Sequence, residues 1–371
     1  MHRFQRFVLC LAGAASMAVA APIGFTTTNL ATNTSDPNLV NPWGLVAGPS
    51  TPFWIADNGT GTSVLYTGGG SKLALTVSIP NSSPITGIAF NSGTGFNGDL
   101  FLFDAENGGV YGWRNSPPGN TMAETLAPPS SANEYKGLAV TDISGSDYAY
   151  LANFMTGNVD VVKGQSVAPN LTGNFVDPSL PSGYAPFNVQ VLNGTVYVAY
   201  AVVNTSTGDE VDGAGLGLVD KFDLQGNFLG RVTSGGALDA PWGMTIAPAG
   251  FGNFGGDLLV GNFGDGTINA FSLSTGNMVG TLTGTNGQPI VIDGLWAMQF
   301  GNGTANGGST NTLFFTAGPD NEAGGLFGSI NATPEPGTFA ILAVGLLLLS
   351  GCMVRAHGPL NIRRAHIRSS E

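Results

Sequence analysis

Between residues 25 and 330 the apolar positions fall in short alternating runs broken by turn residues, and sustained helical periodicity is almost absent. The runs Phe53-Trp54-Ile55-Ala56, Leu100-Phe101-Leu102-Phe103, Tyr148-Ala149-Tyr150-Leu151, Thr195-Val196-Tyr197-Val198, Asp257-Leu258-Leu259-Val260 and Thr312-Leu313-Phe314-Phe315 predict strands. Clusters such as Asp57-Asn58-Gly59 and Asn107-Gly108-Gly109 predict the tight turns that follow them. The expected fold class is all-β.

Each of these runs is preceded by a short motif: Pro42-Trp43-Gly44-Leu45, Thr86-Gly87-Ile88, Lys136-Gly137-Leu138, Pro186-Phe187-Asn188-Val189, Pro241-Trp242-Gly243-Met244 and Leu295-Trp296-Ala297-Met298. The small or polar markers Gly44, Gly87, Gly137, Asn188, Gly243 and Ala297 stand 43, 50, 51, 55 and 54 residues apart. A sheet of about 50 residues cannot bury both its faces alone, whereas radial stacking gives each face a neighbour, so the repeat predicts a six-bladed β-propeller over residues 21–332. A small residue at the start of the innermost strand suits the crowded axis. Closure is expected to use the segment after Phe25 or the stretch Gly325–Ile330 as the missing strand of a shared blade.

The stretches at 38–45 (NLVNPWGL), 135–140, 184–190, 240–244, 258–271 and 292–302 resemble a family of predicted six-bladed propellers of bacteria that carry sorting tails of the PEP-CTERM type. That resemblance implies a fold and an export route, and brings no catalytic residues.

Both ends of the chain read as targeting segments. Arg3 and Arg6 precede the apolar run Phe7–Ala12 and the small residues Ala18-Val19-Ala20, so residues 1–20 are expected to be a signal peptide cut by signal peptidase after Ala20. Residues 333–371 carry Pro334-Glu335-Pro336, an uncharged run over 337–354, and then Arg355, Arg363, Arg364 and Arg368. Eighteen residues suffice for a short spanning helix, and the arginines place the C-terminus inside, with the bulk of the chain outside. The order Pro-Glu-Pro, apolar helix, arginine cluster resembles the PEP-CTERM signal. The resemblance implies that an exosortase-type transpeptidase cuts near Pro334-Glu335-Pro336, with Arg355 opening the basic end, so that a membrane-anchored precursor becomes a cell-surface or extracellular protein.

Removing both ends changes the composition. Cys10, Cys352, His2, His357 and His366 all go, and 22 acidic residues then face only Lys72, Arg114, Lys136, Lys163, Lys221 and Arg231. So acidic a domain is a poor partner for nucleic acid. Without His or Cys, triad and Cys-His catalysis are closed to it, as are imidazole and thiolate metal sites. What survives is a set of oxygen ligands just after the strands: Asp57 and Asn58, Asp104 and Glu106, Asn153, Asn262 and Asp265, and Asp320, Asn321 and Glu322, with Asp57, Asp104, Glu106, Asn153, Asn262 and Asp265 as the candidate metal ligands. If these strands are equivalent in every blade, their ends share a rim, and oxygen-only ligands suit calcium as a cofactor. Turn chemistry alone also accounts for any one of them. For Trp43, Trp242 and Trp296, burial between blades is favoured over stacking on a sugar ring.

These readings leave a leading expectation of a non-catalytic surface or matrix propeller that binds exopolysaccharide or protein. The alternatives are a calcium-dependent hydrolase resembling propeller lactonases, with its metal in the central channel, and a purely structural surface protein.

Overall fold

The computed structural model describes residues 24–117 and 120–333. The expected signal peptide, the Pro334-Glu335-Pro336 motif and the apolar run 337–354 lie outside the described residues. Among those described, no helix is long and apolar enough to cross a membrane.

The chain enters on β1 (Phe25–Thr32) and then builds six antiparallel sheets. Blade 1 is β2 (Pro42–Val46), β3 (Phe53–Asp57), β4 (Thr62–Tyr66) and β5 (Lys72–Ser78), and blade 2 is β6 (Ile85–Phe90), β7 (Phe101–Ala105), β8 (Val110–Trp113) and β9 (Glu124–Ala127). Blade 3 has three strands, β10 (Tyr135–Ile143), β11 (Ser146–Asn153) and β12 (Asn158–Lys163). Blade 4 contains β13 (Tyr184–Leu192), β14 (Thr195–Val203), β16 (Leu218–Phe222) and β17 (Phe228–Ser234), with the two-residue β15 (Glu210–Val211) paired to β14. Blade 5 is β18 (Pro241–Ile246), β19 (Leu258–Asn262), β20 (Ile268–Phe271) and β21 (Met278–Thr281). Blade 6 joins β22 (Leu295–Phe300), β23 (Thr312–Ala317) and β24 (Leu326–Ala332) to β1. The innermost strands touch in the cyclic order β2, β6, β10, β13, β18, β22 and back to β2, which closes a six-bladed propeller.

Both segments expected to close the ring do so, by pairing with each other. β1 runs antiparallel to β24 from Phe25 opposite Ala332 to Thr32 opposite Leu326, so blade 6 holds both ends of the domain.

The spacing of markers reflects one repeated device. In every innermost strand the register with its neighbour slips at the marker: between Pro42 and Leu45, Ile85 and Ile88, Tyr135 and Leu138, Pro186 and Asn188, Pro241 and Gly243, and Leu295 and Met298. Such a bulge bends a strand and strengthens its twist. It also brings backbones of adjacent blades close together. A Cβ on Gly44 would lie 2.7 Å from the Thr86 carbonyl oxygen and 2.8 Å from the Ile88 nitrogen, so this position needs glycine for space.

Blade 3 departs from the expected four strands. Residues 164–183 contain Pro169, Pro178 and Pro181, which cannot donate to a ladder, and the run crosses the blade without joining it. Instead Phe175 inserts beside Tyr150 of blade 3 and Phe222 of blade 4, with ring centroids 4.8 and 5.5 Å away. The rest of the core is also made between blades, as in the stack of Trp54 on Phe101 at 4.0 Å and the contact of Phe53 with Phe314 at 4.4 Å.

Candidate functional site

Because each innermost strand is antiparallel to the second strand of its blade, the innermost strands begin, and the second strands end, on one rim. We call it the upper rim. The residue before each marker is Trp43, Thr86, Lys136, Phe187, Trp242 or Trp296, and all six are buried. They form a plug across the axis. Trp43 stacks on Trp296 at 3.7 Å, Phe263 stacks on the same indole at 4.1 Å, and Trp242 meets Trp296 edge-on at 5.7 Å. The indole nitrogens tie blades together: Trp242 Nε1 donates to the Lys136 carbonyl at 2.8 Å, and Trp296 Nε1 donates to Asn41 Oδ1 at 3.1 Å.

Lys136 is the cation in this plug. Its side chain is 3% exposed, and its Nζ lies 5.3 Å from the Trp43 ring centroid and 5.7 Å from that of Phe154. Three carboxylates reach it, Glu134 at 3.0 Å, Glu106 at 3.3 Å and Glu210 at 3.7 Å. A fourth, Glu322, accepts from Asn41 Nδ2 at 3.1 Å and so connects to the Trp296 indole. Asn58 Nδ2 donates to Glu106 Oε2 at 2.9 Å. Glu322 ends the run Asp320-Asn321-Glu322, whose φ angles of 59, 52 and 65° are all left-handed. For L residues that conformation costs about 1–2 kcal/mol each.

Burial alone would lower the pKa of Lys136, but Glu210, Glu106 and Glu134 outweigh it and hold the ammonium above its ordinary value. Glu210 moves the other way. Burial pushes it up to about 7, with repulsion from Glu322 and Asp212 adding to that and attraction to Lys136 opposing it.

Of the oxygen ligands read from sequence, Asn58, Glu106 and Glu322 reach this cluster. Asp57 and Asp104 do not occupy equivalent places: Asp57 lies opposite Pro42, whereas it is Ala105 that lies opposite Ile85. One residue of offset turns the Asp104 side chain to the other face of its sheet. There its Oδ1 accepts from the Gly87 amide at 2.6 Å and from Thr86 Oγ1 at 2.9 Å, and burial raises its pKa to about 6. Asp57 is fully buried, with Thr62 Oγ1 at 3.5 Å. Asn153 donates to Asp160 Oδ2 at 2.7 Å and Asn133 Oδ1 at 3.1 Å. Asn262 and Asp265 do meet, at 3.0 Å, inside a turn where Asp265 also accepts from Thr267. Among the described residues, no group of three or more His, Cys, Asp or Glu side chains is arranged to hold a metal ion.

Sequence reading passed over Lys136, although it stands in register with Trp43, Trp242 and Trp296 in the repeat. Glu134 and Glu210 gave no signal, because Glu134 stands alone before β10 and Glu210 lies in the two-residue β15, which has no counterpart in the other blades.

Below the plug the axis opens into a blind cavity of about 210 Å³, closed above by Trp242. Two residues beyond each marker, its wall presents Val46, Ala89, Ala139, Gln190, Thr245 and Gln299. Gln299 is engaged by the Ala47 backbone, accepting from its amide at 2.7 Å and donating to its carbonyl at 3.1 Å.

Two mimivirus proteins of Acanthamoeba polyphaga mimivirus, both described as uncharacterized, are similar along most of this chain. One is 34% identical over 328 residues, covering 82% of this chain and 77% of its own, and the other is 32% identical over 314 residues, covering 80% and 81%. The chain belongs to the family of these proteins. No family model matches it. Among solved structures, a protein of unknown function from Bacteroides thetaiotaomicron superposes with a TM-score of 0.54 at 11% identity, covering 84% of this chain and 76% of that one. A glucose dehydrogenase superposes with a TM-score of 0.51 at 12% identity, covering 83% and 100%. At such identities these likenesses establish the propeller fold and nothing of its chemistry.

Proposed function

We propose that the protein is an exported, non-catalytic binding propeller whose upper rim engages an exopolysaccharide or a surface protein. The observation that carries this reading is the enclosure of the plug's one cation by the carboxylates of the rim. Lys136, the one cation in the plug, is held protonated by three glutamates and is no base or nucleophile. The domain between the targeting segments contains neither His nor Cys to form a nucleophile–base pair. A rim of carboxylates over a rigid aromatic floor offers a fixed recognition surface.

The export route in this proposal rests on the two chain ends: a cleaved N-terminal signal, and a Pro334-Glu335-Pro336 tail processed by an exosortase-type transpeptidase. The mimiviral relatives do not speak for that bacterial route, so the tail motif supports it alone. The mass of the mature protein from its native host tests the processing, and an intact segment 337–354 would overturn it. Glycan arrays and pull-downs with the purified protein test the binding. Turnover of a lactone or ester that chelation abolishes would overturn the non-catalytic reading in favour of a calcium-dependent hydrolase.

A further inference from the structure

The blind cavity below the plug is distinct from the rim and has a chemistry of its own. None of the residues lining it carries a charge. A permanently ionised ligand would lose its hydration there without a counter-charge, so the occupant is neutral. The wall is also divided. Blades 1 to 3 present Val46, Ala89 and Ala139, whereas blades 4 to 6 present Gln190, Thr245 and Gln299. Gln299 is held in place by its two bonds to Ala47, whereas the side chains of Gln190 and Thr245, on adjacent blades, have no hydrogen-bond partner among the described residues. They leave a donor and acceptor pair on the half of the chamber facing the alkyl side chains of Val46, Ala89 and Ala139.

Space is set by rigid groups. The plug seals the upper end through Trp242, and the adjoining bulged strands are locked backbone to backbone. A cavity of about 210 Å³, against roughly 30 Å³ for a water in the liquid, holds several waters or one small organic molecule.

We infer that the lower axial cavity binds one small neutral molecule with a hydrocarbon body and a single hydroxyl or amide group, the body against blades 1 to 3 and the polar group on Gln190 and Thr245. This site stands independently of what the upper rim binds.

The test uses the full chain with cyclohexanol, cyclohexanecarboxamide, methylcyclohexane and cyclohexanecarboxylate as probes, followed by titration calorimetry and tryptophan fluorescence. The alcohol and the amide are expected to bind saturably at one site, the hydrocarbon about tenfold more weakly for want of the hydrogen bonds, and the carboxylate not at all. Thr245→Val with Gln190→Leu is expected to abolish the preference for alcohol over hydrocarbon while leaving the hydrocarbon's affinity unchanged. Ala139→Leu fills the chamber and is expected to remove binding of every probe. Ala89→Leu, on the neighbouring blade, does the same if the first variant does not fold. Absence of saturable binding by both neutral polar probes overturns the inference, as does unchanged binding in a folded Ala139→Leu or Ala89→Leu protein.

Discussion

Replacing Lys136 by Met removes the cation from the plug and keeps most of its apolar stem. In the wild type, three carboxylate contacts at 3.0, 3.3 and 3.7 Å act on the ammonium. With an effective dielectric constant of about 20, each is worth roughly 5 kcal/mol before costs. Desolvation of the ammonium and repulsion among the glutamates take back most of this. Net of those costs, removing one partner from a buried pair destabilises by about 3–5 kcal/mol, because it strands the remaining charges. In a domain of this size that is a fall in Tm of roughly 5–15 °C at pH 8. The penalty depends on pH with a definite sign. Without the ammonium, Glu210 loses the attraction that opposes its burial, so its carboxyl is pushed further above the ordinary value and the folded protein binds more protons than the unfolded chain. Stability then falls as pH rises from the ordinary glutamate range through the raised folded pKa of Glu210, and acid restores it. Thermal unfolding of Lys136→Met and wild type, followed by circular dichroism from pH 4.5 to 8, reads this directly. Parallel Tm curves for the two proteins across that range would refute the assignment of Lys136 as the counter-ion of the carboxylate ring.

Glu210→Gln tests the same cluster from the other side: since burial raises the Glu210 pKa from 4.5 to about 7, the substitution should stabilise the fold at pH 8 by up to about 3 kcal/mol and be neutral below pH 4.5, and a pH-independent difference in chemical denaturation would contradict it. Gly44→Ala places a Cβ against the backbone of Thr86 and Ile88, which cannot yield as a side chain can; a loss of roughly 1–3 kcal/mol in urea unfolding is expected, and a neutral result would remove the crowding argument for the marker position. Deleting residues 21–32 removes β1 and exposes the whole edge of β24. Lower Tm and a tendency to aggregate are expected by calorimetry and light scattering, whereas an unchanged Tm would show that blade 6 closes without it.

The architecture was legible in the sequence because it repeats. Six copies of one local event, a small residue where the innermost strand bulges, leave a mark at nearly constant spacing, and Gly44, Gly87, Gly137, Asn188, Gly243 and Ala297 each sit at such a slip. The site was less legible, for two physical reasons. Strand ends can be aligned by eye only to within a residue, and a single residue decides which face a side chain takes, so Asp104 clamps the Gly87 amide while Asp57 lies in another environment. The second reason is that the plug breaks the repeat instead of following it. Tryptophan at the position before the marker in blades 1, 5 and 6 reads as interblade packing, but three indoles directed at one axis must meet each other, and they do so only because blades 2, 3 and 4 offer Thr86, Lys136 and Phe187 there. Six tryptophans would not fit, and a sixfold repeat has no reason of its own to admit a lysine. Its presence draws in Glu134, Glu106 and Glu210, of which only Glu106 follows a second strand, where the repeat aligns it, while Glu134 precedes β10 and Glu210 lies in β15. In a closed repeat, then, the fold is written in what the blades have in common, and the chemistry of the axis in the positions where they differ.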